Sequence, residues 1–190
     1  QEGQWLPCPI LEYFSKLEPG DRLLPMESAV NFSGLIMEEF KRLRDLTLLS
    51  ALFLYNLFAR AGIELWDGKL EFSRMVRIVL SDAITPDELR LVKDGVQISK
   101  EPIRQYYRKH HPRFYEGIAQ AKEVAAREGG KVGEILRTHL GQTPERMDPA
   151  FKRAIEDMYV SLTVETTGLT LFPGSRPLRE VIERLKAFGV

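Results

Sequence analysis

An α+β fold, with an antiparallel sheet packed against helices, is the class this 190-residue sequence predicts. Three observations predict it. Residues 67–90 hold two runs of strand periodicity that meet at a short polar turn. A long apolar helix pattern precedes them, over residues 35–60. Helical patterns separated by Gly and Pro breaks fill the chain beyond Ser99.

The elements follow in chain order. Residues 1–9 contain prolines and read as irregular, and residues 10–15 read as a strand. Glu18-Pro19-Gly20-Asp21 is a turn cluster. Asn31 or Ser33 is placed to cap the helix over residues 35–60, and Gly62 to end it. The second half of that helix, residues 46–59, is almost continuously apolar. A membrane span needs about 20 apolar residues. This run is shorter and flanked by Arg42, Arg44 and Arg60, so a helix buried against a sheet is expected. Lys93-Asp94-Gly95 reads as a short turn in a polar loop. Ser99 opens a helix to about Lys109, with Glu101 in its first turn. Pro112 interrupts, and a second helix runs to about Arg127 before Glu128-Gly129-Gly130 breaks it. Residues 141–149 form a linker of turn formers. Helices are expected over residues 149–167 and 176–188, separated by a short apolar run and a Pro173-Gly174 turn. The domain organisation expected is a central domain, residues 1–128, with a C-terminal helical extension, residues 129–190, packed on it.

Composition narrows the function classes. Apolar residues make up 44% and charged residues 28%, the balance of an ordinary globular protein. Lys and Arg number 27 and so do Asp and Glu, so no net field favours nucleic acid or an anionic membrane. Cys8 is the single cysteine, which excludes an intrachain disulfide and fits a reducing, cytoplasmic setting. Phosphate loops of the Gly-x-x-x-x-Gly-Lys and Gly-x-Gly-x-x-Gly types are absent, and no Ser-His-acid pattern occurs. His110-His111 reads as a solvated helix end, without the spacing of a zinc site. Arg104, Tyr106, Tyr107, Arg108 and Lys109 resemble a nucleic-acid strip, but at helical spacing such residues more often pack on a neighbouring element.

The chemistry concentrates in residues 67–90. Asp67, Lys69 and Glu71 are spaced by two, so on an extended chain they project from one face while Leu70 and Phe72 take the other. The return run, residues 77–84, brings Asp82 toward Glu71. Like charges across a ladder repel. Two carboxylates that meet a lysine there suit a bound cation or a polyanionic ligand. Thr85-Pro86-Asp87 signals a turn, and Arg90 follows with a planar guanidinium suited to phosphate or carboxylate. A solvated face of mixed charge is the competing reading, and pattern alone does not separate the two.

Residues 67–73, Asp-Gly-Lys-Leu-Glu-Phe-Ser, resemble the Asp-x-Lys-x-Glu-Phe-Gly strand of the SAICAR synthetases. Asp82-Ala83-Ile84-Thr85-Pro86-Asp87-Glu88-Leu89-Arg90 is similar to that family's Asp-Glu-x-x-Pro-Asp-x-Ser-Arg segment. The resemblance extends upstream through Pro9-Ile10-Leu11-Glu12-Tyr13-Phe14 and Ala61-Gly62-Ile63-Glu64-Leu65. Downstream it runs through Ser99-Lys100-Glu101-Pro102-Ile103-Arg104, and on to Tyr159 and Glu165-Thr166-Thr167-Gly168. Ser73, Ala83 and Leu89 depart from the family's Gly, Glu and Ser. The family's N-terminal nucleotide-binding region is not found, so the chain is expected to begin inside what would be the second domain.

The resemblance implies an α/β-like, SAICAR-synthase-like ATP-binding fold and a phosphoribosylaminoimidazole-succinocarboxamide synthase of purine biosynthesis. Such a ligase joins carboxyaminoimidazole ribonucleotide to L-aspartate with ATP and Mg²⁺. It implies Glu71 and Asp82 as Mg-ATP ligands. Lys69 would neutralise charge on the transferred phosphoryl group or the substrate carboxylate, and Asp67 would orient Lys69 or substrate polar groups. Arg90 and Arg104 would grip phosphate or carboxylate, and Asp87 would position Arg90 or the imidazole ring. Small-molecule partners, no nucleic acid, no membrane and a homo-oligomer are expected. The altered positions leave two alternatives, a homologue using another amino acid or heterocycle, and a non-catalytic nucleotide-binding module.

Overall fold

The computed structural model describes residues 6, 8–16, 18 and 21–190. It shows mixed helix and antiparallel sheet, divided into two compact units. The first comprises Gln1–Leu52 and Leu70–Asp82, the second Phe53–Lys69 and Ala83–Val190. The 128/129 boundary falls inside the second unit, whose core draws Phe151, Met158 and Val181 from beyond it.

The first unit opens with β1 (Tyr13–Phe14) and β2 (Leu23–Leu24), paired antiparallel. The strand expected over residues 10–15 is therefore only two residues long. Its neighbour Ser15 turns back at once, donating its N–H to Arg22 O at 2.9 Å. Part of the expected 18–21 turn lies outside the described residues, as do most of residues 1–9. Helix α1 (Met26–Ser33) follows, a helix the sequence reading did not place. Ser33, read as a cap for the next helix, is instead the last residue of α1. Helix α2 (Met37–Ala59) starts two residues later than expected, with the Ile36 N–H held by Glu39 Oε2 at 3.1 Å. Leu24, Ala29, Leu35 and Phe40 form the small core of this unit, with Tyr13, Val30, Leu43 and Ile78 packed beside them.

The apolar run of α2 is not buried all round. Leu54 and Phe58 enter the core of the second unit, whereas Leu49 and Phe53 are 61% and 66% exposed. Among the described residues no helix is long and apolar enough to cross a membrane. Gly62 takes the left-handed conformation (φ 65°) that ends the helix, and its N–H donates to Ala59 O at 3.0 Å.

The single hairpin expected over residues 67–90 is two separate ladders. In the first unit β4 (Phe72–Arg74) pairs with β5 (Ile78–Leu80). In the second, β3 (Glu64–Gly68) pairs with β6 (Leu89–Lys93), which in turn pairs with β7 (Val96–Gln97). Strand β3 stops at Gly68 and shifts register between Leu65 and Asp67. Asp67, Lys69 and Glu71 thus do not share the face of one continuous strand, because β3 ends at Gly68, before Lys69. The β6–β7 connection is the Asp94-Gly95 turn, with φ of 51° and 77°. Two successive positive φ values are what a type I′ hairpin needs, and they explain Asp-Gly there.

Helices α3 (Glu101–His110), α4 (Pro112–Glu128), α5 (Val132–Thr138), α6 (Pro149–Thr167) and α7 (Leu178–Ala187) complete the second unit. Leu91 and Ile98 pack with Phe151, Met158, Leu178 and Leu185 in its core, all fully buried. Tyr106 stacks on Phe151 with ring centroids 4.1 Å apart, so the basic aromatic strip is anchored in the core through that residue. His111 is not a solvated helix end. It is partly buried among Tyr106, Tyr107 and Glu145, and its Nδ1 lies 2.9 Å from Glu145 Oε2.

Candidate active site

In the first unit the β4–β5 ladder sets one group of polar side chains. Phe72 is in register with Leu80, and Ser81 N–H donates to Glu71 O at 2.9 Å, which adds one more step to the ladder. This pairing brings Glu71 and Asp82 to the rim of one concavity of about 430 Å³. Lys16, Phe72, Ser73 and Ser81 line the rest. Lys16 forms an ion pair with Glu71 Oε2. Sequence reasoning did not place Lys16 here. It lies 55 positions from Glu71 in the chain. Oxygen donors from Glu71, Asp82, Ser73 and Ser81 suit a hard cation such as Mg²⁺. Among the described residues no cluster of three or more His, Cys, Asp or Glu is arranged to hold a metal. The two carboxylates fit the mode in which Mg²⁺ takes one or two from protein and the rest from phosphate and water.

In the second unit the β3–β6 ladder sets the other group. Burial alternates over the first three residues of β6, with Leu89 and Leu91 inward and Arg90 outward. Asp67 is opposite Arg90 in the register, and Arg90 Nη1 lies 3.0 Å from Asp67 Oδ2. Gly68 is opposite Leu89, whose side chain would lie 2.6 Å from an added Cβ and so fills the space beside the glycine. Lys69 continues from the strand end, with its N–H donating to Glu88 O at 2.8 Å.

Asp87 lies in a one-turn 3-10 helix, Pro86–Glu88, between Thr85 and β6. Its Oδ1 accepts a hydrogen bond from the Tyr159 hydroxyl of α6. Burial, and then the bond to Asp87 and its negative charge, push the Tyr159 phenol well above its ordinary range. Lys100 Nζ is 3.9 Å from Glu88 Oε1. Arg104 is on α3 and pairs with Glu101 at 3.4 Å, not with a carboxylate of the 3-10 turn or β3. Asp67, Lys69, Asp87, Arg90 and Arg104 thus belong to the second unit, and Glu71 and Asp82 to the first.

The model of the SAICAR synthetase family matches residues 1–121. The chain belongs to the SAICAR synthetase family. A relative in Archaeoglobus fulgidus is 33% identical over 191 residues, which is 98% of this chain and 53% of that protein. The phosphoribosylaminoimidazole-succinocarboxamide synthase of Thermoplasma acidophilum is 33% identical over 178 residues, 87% of this chain and 55% of that protein. Among solved structures, a Type-2 SAICAR synthetase in complex with ADP superposes with a TM-score of 0.51 at 27% identity, over 77% of this chain and 57% of that one. The chain spans about half the length of the curated relatives it matches. The stretch matched by the family model includes every polar side chain of the two groups except Tyr159.

Proposed function

We propose that the complete protein is an ATP-dependent carbon–nitrogen ligase that joins the carboxylate of carboxyaminoimidazole ribonucleotide to L-aspartate. The observation that carries this reading is the placement of the motif residues in a SAICAR synthetase family chain. Asp67 and Arg90 meet in register beside the Asp87 turn, and Glu71 and Asp82 line one concavity. The ADP complex of the solved relative supports a nucleotide co-substrate.

The reaction needs a poor electrophile made reactive. A ribonucleotide carboxylate oxygen attacks the γ-phosphoryl group of ATP, and ADP leaves. The aspartate amine then attacks the acyl carbon of the acyl phosphate. Inorganic phosphate leaves, and the amine nitrogen gives up a proton. Mg²⁺, when bound, offsets phosphate charge during the transfer. Glu71 and Asp82, which line one concavity, would hold it. Lys69 lies against the carboxylate or transferred phosphoryl group and stabilises its charge. Asp67 orients the Arg90 guanidinium, and Arg90 and Arg104 grip the anionic ends of the ribonucleotide. Asp87 accepts from substrate polar groups.

Ser73, Ala83 and Leu89 favour a second reading, in which another amino acid or heterocycle is used. One assay separates these readings. With full-length protein, Mg-ATP, the ribonucleotide and aspartate, phosphate release is expected, and Glu71→Gln should lower it about a hundredfold or more. Release only with a different amino acid supports the second reading. Mg-ATP binding without release on any amino acid or heterocycle tested overturns both.

A further inference from the structure

Tyr159 is outside the stretch matched by the family model, on a helix that otherwise serves the core. Its ring packs against the main core of the second unit. Its hydroxyl reaches Asp87, 72 positions away in the chain. The phenol is therefore fixed at its ring end by packing and presents its oxygen to an exposed turn. Asp87 itself is exposed. An exposed carboxylate on a turn ordinarily rotates freely, and such freedom is lost only at an entropic cost when a ligand binds.

The backbone around Asp87 is held as well. Glu88 N–H donates to Thr85 O at 3.1 Å, and Glu88 O accepts from Lys69 N–H at 2.8 Å. With the turn fixed and Oδ1 occupied, the remaining variable is the carboxylate plane, and the Tyr159 bond sets it. The raised phenol keeps its proton, so toward the Asp87 carboxylate it is the donor. The bond leaves the other carboxylate oxygen, Oδ2, as an acceptor. An acceptor-only oxygen fits an amine, ammonium or hydroxyl group of a substrate and repels phosphate.

We propose that Tyr159 is a positioning residue, which aims Asp87 Oδ2 at a hydrogen-bond donor of the ribonucleotide or of the amino acid. This rests on the ligase reading above. A clip that merely held the turn to α6 would affect stability and leave substrate affinity alone.

The test is steady-state kinetics and thermal melting of the full-length wild type, Tyr159→Phe, Asp87→Asn and the double variant. Phe keeps the ring and its packing and removes only the donor. A hydrogen bond to a charged group is strong enough that its loss should raise the KM for one of the two organic substrates about tenfold. The KM for ATP should stay within about twofold, and the melting temperature should change little. In the Asp87→Asn background, removing the Tyr159 hydroxyl should add little, since the two act as one unit. A lower melting temperature with unchanged KM and kcat overturns the proposal. So does a change confined to the KM for ATP, or effects of the two substitutions that multiply. A wild type that turns over neither substrate overturns the ligase reading and the positioning role with it. Normal turnover by Tyr159→Phe overturns only the role given to Tyr159.

Discussion

Arg90 and Asp67 show how one pair of side chains can matter to chemistry while mattering little to folding. They face each other across β3 and β6, with side chains about half exposed. Exposed pairs contribute only about 0–1 kcal/mol, because water screens them and two side chains lose freedom. The alternation of β6 puts Arg90 outward for a geometric reason, since Leu89 and Leu91 take the core positions. What the pair fixes is the plane of the guanidinium. Lysine keeps the charge and loses that plane. Arg90→Lys should therefore shift the unfolding free energy by less than about 1 kcal/mol in urea. It should lower kcat/KM of the full-length protein about tenfold or more. A variant with clearly reduced stability and unchanged kinetics would make the pair a structural one.

Elements differ in how openly the sequence announces them. Helix α6 was legible because its signals are local. Asp148 precedes Pro149, and its carboxylate accepts from Ala150 N–H at 2.7 Å and Phe151 N–H at 3.1 Å. Asp148→Ala should cost about 1 kcal/mol of stability, read as a lower urea midpoint with an unchanged slope. No change at the midpoint would mean that packing of Phe151 and Met158 alone fixes the helix start. Helix α1 had comparable signals, with Pro25 before it, Glu27 in its first turn and Gly34 after it. It was missed because two of its own residues, Asn31 and Ser33, also read as a cap for α2. Strands β3 and β6 were illegible for a different reason. Their partners are more than 20 positions apart, and the nearer pairing of residues 67–71 with residues 77–84 looked sufficient. A period of two is the same whichever strand lies opposite, so only tertiary packing selects the partner. The motif residues stand out by their spacing and family likeness, but their division between two ladders does not. The partners Lys16 and Tyr159 come from distant segments, and no spacing rule reaches them.

At the scale of the whole molecule, stability is distributed unevenly between the two units. The first rests on Leu24, Ala29, Leu35 and Phe40 and on strands of two and three residues. The second buries Leu91, Ile98, Phe151, Met158, Leu162, Leu178, Val181 and Leu185 completely or nearly so. Stabilisation grows with apolar area removed from water, so opening the first unit exposes less and costs less. Amides of α1 and of β4–β5 should therefore exchange with deuterium at least about tenfold faster than those of β6 and α6. Leu185→Ala sharpens this into a test. That side chain is fully buried, and truncating it should cost about 2–5 kcal/mol. If the units open separately, the variant speeds exchange in β6, α6 and α7 and leaves α1 and β4–β5 nearly as they were. Equal acceleration in α1 and α6 would mean that the chain opens as one cooperative body. Glu71 and Asp82 belong to the unit with the smaller core, and Asp67, Asp87 and Arg90 to the other. Separate opening would then place the proposed metal ligands on the softer support, where Mg-ATP should slow exchange in β4–β5 more than in β6.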